Sequence, residues 1–374
     1  MTTAADTQEL LAGIRRWVEI ESYSTDTAGV NRMADRVAED YAACGAEIER
    51  VPGRDGWGDH LIVRAPWNAG SNAPGILILS HIDTVHPAGT LEWFPFRVEG
   101  DVAYGPGIYD MKGGAYIAMA AVADLAAQGG APLPVTHMFV ADEEVGSPTS
   151  REIIVELGRA AKYVLVTEPA REGGKIVTAR KGAVRYEVTT KGRASHAGSR
   201  HQDGASAIRE MAHTVLKFEG LTDYDRGITC NVGLIRGGTG TNVVPAEAWC
   251  KVDIRIPDME ALETVERFIA DIAPENPEVT VEINGGLDRP PYERSEGIER
   301  LFALASEIAG EIGWDLEQLK TGGGSDGNFT AALTPTLDGL GVDGKGGHTD
   351  YEQLYVSSLE PRRRLMRGLL ERLR

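Results

Sequence analysis

Cysteine is scarce: Cys44, Cys230 and Cys250 are the only three in 374 residues. The number is odd, the spacing is wide and no C-x-x-C occurs, which argues against a disulfide framework or a thiolate metal site and for reduced, partly buried thiols. Basic residues are in deficit, with 38 Lys and Arg against 56 Asp and Glu and a net charge of −18. No basic stripe stands out, so nucleic acid is not an expected partner. Long apolar runs are missing too. None approaches the ~20 residues of a membrane span. The opening MTTAADTQELLAGIRRWVEI lacks the basic start, apolar core and small-residue cleavage site of a secretory leader. The expectation is a cytoplasmic protein with no membrane partner. His-Glu-x-x-His is absent, which sets aside a helix-based zinc protease. The glycine strings at 237–241, 321–327 and 344–347 lack the G-x-x-x-x-G-K-[ST] spacing, which sets aside a nucleotide loop.

The rest is the balance of a globular protein, 42% hydrophobic and 25% charged, in a chain long enough for two domains or one large one. Helical patterns cover residues 7–20 and 29–44. GILILSHIDTV from Gly75, VTHMFVADEE and YVLVTEP from Tyr163 each end an apolar run in polar residues. A helix-forming stretch follows Gly113-Gly114. This alternation predicts an α/β layered domain with a mixed, mainly parallel sheet, whose ligands sit beyond the carboxyl ends of the strands. Near residue 176 the period changes. AVRYEVTTKG, a helix at 204–218, GITCNVGLIRGG, EAWCKVDIRIP, MEALETVERFIADIA and VTVEIN read β-α-β-β-α-β, a ferredoxin-like layer of helices on an antiparallel sheet. The predicted division is therefore 1–175 with 287–374 for the main domain, and 176–286 for an inserted one.

The acids and imidazoles gather at these strand ends and in glycine turns. His81 and Asp83 form H-x-D; residues two apart on a strand face one side, so one can bind a metal and the other orient it. Asp110 lies in YGPGIYDMKGG, where glycines let the backbone turn tightly beside a ligand. Glu143 and Glu144 are adjacent and point apart, so one can bind metal while the other moves protons. Glu168 precedes Pro169 at the third strand end, and His348 sits in GKGGHTDYE. Imidazole with carboxylate and no thiolate suits zinc, cobalt or manganese in a site open to water. Each feature also has a plain reading: a solvated loop for the glutamates, a turn for Asp110, a loop histidine for His348. Co-occurrence on one face of one sheet favours the metal. His60, His86, His137, His201 and His213 have no ligand-like context and read as ordinary residues.

These segments, SHIDTV, AYGPGIYDMKGG, ADEEVGS, VTEP, KGRASHAG, TNVVPAEA, TGGGSDG and GHTDYE, resemble the zinc exopeptidases and deacylases that include acetylornithine deacetylase, succinyl-diaminopimelate desuccinylase and aminoacylase-1. PFRVEGDVAYGPGIYDMKGG and TGGGSDG resemble bacterial glutamate carboxypeptidases most. The resemblance implies two zinc ions per subunit, with cobalt or manganese as substitutes. His81 and Glu168 would hold one zinc, Glu144 and His348 the other, and Asp110 would bridge them. Asp83 would orient His81, and Glu143 would be the general base. The inserted domain would serve as lid and dimerisation domain, and His196 would reach the partner subunit's site to stabilise the oxyanion, which implies a homodimer. Asn242, Arg255 and Arg289 match positions that face a substrate carboxylate, a task suited to the arginine fork. Lys175 matches a lysine that reads a side-chain carboxylate, with the spacing from Glu168 shifted by one residue. Residues 176–256 hold 12 Lys and Arg against 8 Asp and Glu, a local excess that would attract an anionic substrate.

The expected activity is cleavage of an N-acyl amino acid or short peptide beside a free carboxylate, either as a carboxypeptidase or as a deacylase. Trp57, Trp93 and Tyr109 are candidates for stacking on the acyl group. Gly323-Gly324-Ser325-Asp326-Gly327 loosely satisfies a serine nucleophile elbow, but polar EQLK before it is no strand; the loop is expected to pack against substrate. A binding protein that lost its metals is the non-enzymatic alternative.

Overall fold

The computed structural model describes residues 4–68, 71, 73–171 and 173–374. The chain divides into two compact units. The first comprises Met1–Ala179, Arg294–Lys320 and Ser325–Arg374; the second comprises Arg180–Glu293 and Thr321–Gly324.

The first unit is built on a six-stranded sheet. Its order is Glu47–Val51, His60–Arg64, Val135–Val140, Ile76–His81, Tyr163–Val166, Thr336–Leu337. The four strands from Val135–Val140 onward run parallel, and the first two are antiparallel additions. All six residues of Ile76–His81 are buried. A strand buried on both faces needs apolar residues at every position, and ILIL supplies them. Ile76 and Ile78 face one cluster, with Trp17, Met33, Val37 and Leu369 from the covering helices Ala4–Val18, Thr27–Ala42 and Leu359–Arg372. Leu77 and Leu79 face the other, with Ile154 of the helix Arg151–Ala160 and Phe329. The sheet thus has helices on both faces. Each buried Leu or Ile contributes roughly 1.5–3 kcal/mol, so Leu79→Ala costs about 2–5 kcal/mol. Hydrogen bonds also enter the core: His137 links Tyr41 Oη at 2.6 Å to Ser80 Oγ at 2.7 Å.

The second unit is an antiparallel sheet ordered Thr229–Gly237, Glu247–Ile256, Gly182–Lys191, Thr280–Arg289, with helices Ala207–Glu219 and Met259–Ala270. In chain order this is β-α-β-β-α-β, and the third strand lies beside the first. Val184, Val188, Cys250, Val252 and Ile254 alternate inward against Met211, Phe218 and Val265 of the helices. Ser206 and Asp258 cap those helices by accepting from the amides of Arg209 and Ala261, each cap contributing about 1 kcal/mol.

The unit boundaries differ from 176 and 286 for local reasons. The strand Ile176–Arg180 spans the first division. At the other end the strand runs on to Arg289, and the Arg180 amide donates to Tyr292 O. The Arg180 guanidinium donates to Gly323 O and Gly324 O, which draws Thr321–Gly324 into this unit. Among the described residues, no helix is long and apolar enough to cross a membrane.

Candidate metal centre

The parallel strands of the first unit deliver their polar residues where their apolar runs stop. His81 ends one strand, Glu143 and Glu144 follow the next, and Glu168 lies two residues past Val166. His81 is 2% exposed. Its Nδ1 donates to the main-chain oxygen of Asp83 at 2.9 Å, which fixes the tautomer and leaves the Nε2 lone pair for a ligand bond. The Asp83 carboxylate sits farther from Nδ1, at 3.5 Å. It accepts instead from the amides of Glu143 and Glu144 at 3.2 Å each and from Ser24 Oγ at 2.7 Å. Asp83 therefore orients His81 through its backbone and places both glutamates through its side chain.

Asp110 lies between two imidazoles. Its Oδ1 is 3.2 Å from His81 Nε2 and its Oδ2 is 3.4 Å from His348 Nε2. Glu168 Oε1 lies 3.8 Å from His81 Nε2, and Glu144 Oε2 lies 3.0 Å from His348 Nε2. Donor atoms on one tetrahedral zinc with bonds near 2.0–2.1 Å are roughly 3.3 Å apart, so these separations are in the range of donors gathered for a metal, with Asp110 common to both imidazoles. Glu143 also enters the geometry: its carboxylate, His81 and Glu168 bring donor atoms within 4.8 Å, as do His81, Asp110 and Glu144. Glu168 and Glu143 thus both lie on the His81 side, with Glu168 Oε1 3.8 Å from His81 Nε2. His348 adopts φ 65°, a left-handed conformation that costs a non-glycine residue of order 1 kcal/mol or more and clusters at functional sites.

The electrostatics call for a cation. Burial pushes the Glu144 carboxyl up to about 8 against the pull of His348. Hydrogen bonds to Asp110 and Glu144 raise the His348 imidazole to about 11. Burial opposes charge on Asp110, yet hydrogen bonds from His348 and His81 hold it well below the usual carboxylate range. Glu144 Oε1 is buried with no hydrogen-bond partner, an arrangement that is costly unless something positive meets that oxygen. Oxygen and nitrogen donors without thiolate are a fitting set for zinc, cobalt or manganese.

His196, Asn242, Arg255 and Arg289 belong to the second unit. His196 is exposed on the short strand Ser195–His196, paired with Val243–Val244. Its Nδ1 accepts from the amides of Gly198 and Ser199 at 3.1 and 3.2 Å. As a neutral ring it therefore carries its proton on Nε2, as a donor facing outward. Asn242 is exposed beside it, its carbonyl accepting from the Ala197 amide. Arg255 forks onto Asp253 at 2.6 and 3.0 Å, and Arg289 is buried at the end of its strand. Lys175, in the first unit, pairs with Glu317 at 3.0 Å.

Arg171 had no sequence signal. Its guanidinium lies 3.9 Å from Glu168 and its Nε is buried with no hydrogen-bond partner. Tyr109 is buried and donates to Ala170 O, so it supports the loop rather than offering a stacking face; Trp93 is exposed and Trp57 half-buried. Ser325 is fully buried and donates to Asp338 at 2.5 Å. It has neither a histidine partner nor a surface to present, which removes both the nucleophile reading and direct contact of Ser325 with substrate.

Residues 77–372 match the description of peptidase family M20/M25/M40. Carboxypeptidase G2 of Pseudomonas sp. (strain RS-16) is 31% identical over 368 residues, covering 96% of this chain and 87% of that protein. A succinyl-diaminopimelate desuccinylase of Rhodopseudomonas palustris (strain HaA2) is 28% identical, covering 81% and 84%. Among solved structures, an M20 family metallo-carboxypeptidase of Sulfolobus solfataricus superposes with TM-score 0.78 at 17% identity, covering 97% of this chain and 98% of that one. A tripeptidase of Staphylococcus aureus gives TM-score 0.77 at 21% identity, covering 98% of each. These two likenesses concern the fold.

Proposed function

The chain belongs to peptidase family M20/M25/M40, and from that premise we propose that it is a two-zinc hydrolase that cleaves N-acyl amino acids or short peptides beside a free C-terminal carboxylate. The observation that carries the reading is Asp110, which turns one carboxylate oxygen toward each imidazole. His81, Glu168 and Asp110 would hold one ion, and Asp110, Glu144 and His348 the other. Such a pair of ions lowers the pKa of a water and polarises the scissile carbonyl.

The other roles fall to the chain's own groups. The Glu143 carboxylate takes a proton from the attacking water and returns it to the leaving amine nitrogen, so that amide and water become carboxylate and amine. Asp83 keeps Glu143 in place through its backbone amide. His196 Nε2–H donates to the developing oxyanion. Asn242, Arg255 and Arg289 read the substrate carboxylate. Lys175 reads an acidic side chain, exchanging a partner, Glu317, that is itself 64% exposed and therefore weakly held.

We propose further that the protein is a homodimer and that His196 serves the partner's site. The strand Thr229–Gly237 is a sheet edge, and it exposes Leu234 and Ile235, while Ile208 and Leu216 are exposed on the helix Ala207–Glu219. An apolar edge of this kind is normally covered. The three free thiols suit a reducing, cytoplasmic setting.

The name carboxypeptidase on one relative and desuccinylase on another mark two readings; the higher identity and coverage favour the first. The test is hydrolysis of N-acylglutamates, other N-acyl amino acids and N-succinyl amino acids, before and after chelation and zinc restoration. Zinc-dependent activity highest on N-acylglutamates supports the carboxypeptidase reading. A best rate on N-succinyl substrates moves the assignment to deacylase. Bound metal without any turnover contradicts the substrate class, and neither metal nor turnover leaves a binding protein.

A further inference from the structure

Asp110 is held at an unusual place in the chain. It lies in the wide turn Ile108–Lys112, with φ −115° and ψ 94°, which are not helical values. Gly107, just before the turn, has φ 69°, and a Cβ there would lie 2.5 Å from Thr84 Cγ2. Such a turn points successive amides inward, and buried amides need acceptors.

One side chain supplies them. Glu352 is fully buried and lies four residues after His348. The strand Gln353–Tyr355 pairs antiparallel with Val102–Tyr104, Gln353 opposite Tyr104, and the Gly105 amide donates to Glu352 O at 3.3 Å. This register brings the side chain under the Asp110 turn. Glu352 Oε1 accepts from the amides of Tyr109 and Asp110 at 2.8 Å each. Oε2 accepts from the Gly107 amide at 2.9 Å and from His86 Nε2 at 2.6 Å. The carboxylate thus receives four hydrogen bonds, two from the turn that presents Asp110, one from Gly107 just before it and one from His86. Sequence separates Glu352 from Asp110 by 242 residues.

We propose that Glu352 is a positioning residue for the metal centre: by gathering the amides of Gly107, Tyr109 and Asp110 it sets the angle at which Asp110 offers one oxygen to each metal, with His86 completing the clamp. The inference rests on the two-metal reading of Asp110. It gives His86 a structural partner and gives the segment that carries His348 a second task, fixing the shared ligand of both ions. A carboxylate suits this task because both oxygens accept. A carboxamide would turn an N–H toward a donor on one side.

A purely structural role makes a different prediction, and Glu210 supplies the matched comparison. It is also buried and accepts from two loop amides, those of Glu275 and Asn276, at 2.9 and 3.0 Å, but that loop carries no metal ligand. The experiment is competition for zinc between a chromophoric chelator and the wild-type protein, Glu352→Gln and Glu210→Gln, with thermal stability and kcat measured alongside. Glu352→Gln should bind zinc about 10- to 100-fold more weakly and recover kcat in excess zinc with KM unchanged. Glu210→Gln should lose stability and keep wild-type zinc affinity. Wild-type affinity in Glu352→Gln, or an equal loss in both variants, would overturn the proposal. If Glu352→Gln does not fold, Glu352→Asp keeps the charge and withdraws the oxygens by one methylene; it should show the same loss, and wild-type affinity there would equally overturn the proposal. Wild-type protein that takes up no zinc would overturn the metal reading and this inference together.

Discussion

In the first unit, His81 and Glu168 are nearly sealed from solvent, and the groups around them are fixed by second partners: Asp83 by Ser24, Glu143 and Glu144 by Asp83. In the second unit, His196 stands exposed on a strand two residues long, and Asn242 stands exposed in the turn just before the strand that pairs with it. The contrast separates two tasks. Groups that carry charge through a reaction gain from a fixed, dry frame, where electrostatic interactions are strong and need no reorganisation. Groups that meet an incoming substrate need a surface. A buried frame should therefore tolerate substitution poorly and specifically, and an exposed one should lose function without losing its fold.

The largest effect tests the frame at its reactive group. Glu143→Ala should keep metal and stability and lose about 10³-fold in kcat, read by metal analysis beside steady-state rates; near-normal turnover would show that the proton is moved elsewhere. On the exposed side, His196→Ala should lose about 10²-fold in kcat with metal content and melting temperature unchanged. Mixed with Glu143→Ala, it should regain activity, because one site of each heterodimer then has both groups intact. Absence of rescue would confine His196 to its own subunit.

Acid should attack the first unit. Burial pushes the His137 imidazole down to about 3, against about 6.5 in the unfolded chain. The fold holds the neutral ring, so this contribution is complete above pH 6.5 and is lost as pH falls toward about 3. Between pH 6.5 and 5 the loss is about 2 kcal/mol. His137→Gln should be less stable at pH 7 but flatter over that interval in denaturant titrations; equal slopes would contradict the assignment. The smallest effect belongs to Lys175. Its pair with Glu317 is largely solvated, so Lys175→Ala should change stability by less than about 0.5 kcal/mol. If it reads an acidic side chain, KM for N-acylglutamate should rise while KM for a neutral analogue stays fixed.

Much of the frame was legible because apolar runs end where chemistry begins. ILIL before His81 and YVLV before Glu168 announce buried parallel strands by composition alone, and alternation in AVRYEVTT and EAWCKVDIRI announces the half-buried antiparallel sheet. The convergence of Asp110 with His348, 238 residues later, is a property of the fold and not of local sequence, although H-x-D and the glycine turns named the residues. Asp83 was readable as a partner of His81, but its use of the main-chain oxygen for that bond was not. Glu352 and His86 were invisible, because a carboxylate that accepts from amides is specified by the backbone angles of a distant turn and the register of a short strand. Arg171 escaped for a similar reason: the turn that joins it to Lys175 through Gly173 and Gly174, both at positive φ, decides which cation lies by Glu168. The second unit runs past residue 286 because the strand expected at VTVEIN continues through Gly285-Gly286 to Arg289.

The central claim is that Asp110 joins two metal sites in one unit. Zinc titration into chelator-stripped wild-type and Asp110→Ala protein, followed by calorimetry and by recovery of activity, tests it most directly. The account predicts two zinc ions bound per wild-type chain, activity that returns as they bind, and weakened binding of both ions in Asp110→Ala. A single ion per wild-type chain, bound with the same affinity after Asp110→Ala, would contradict it.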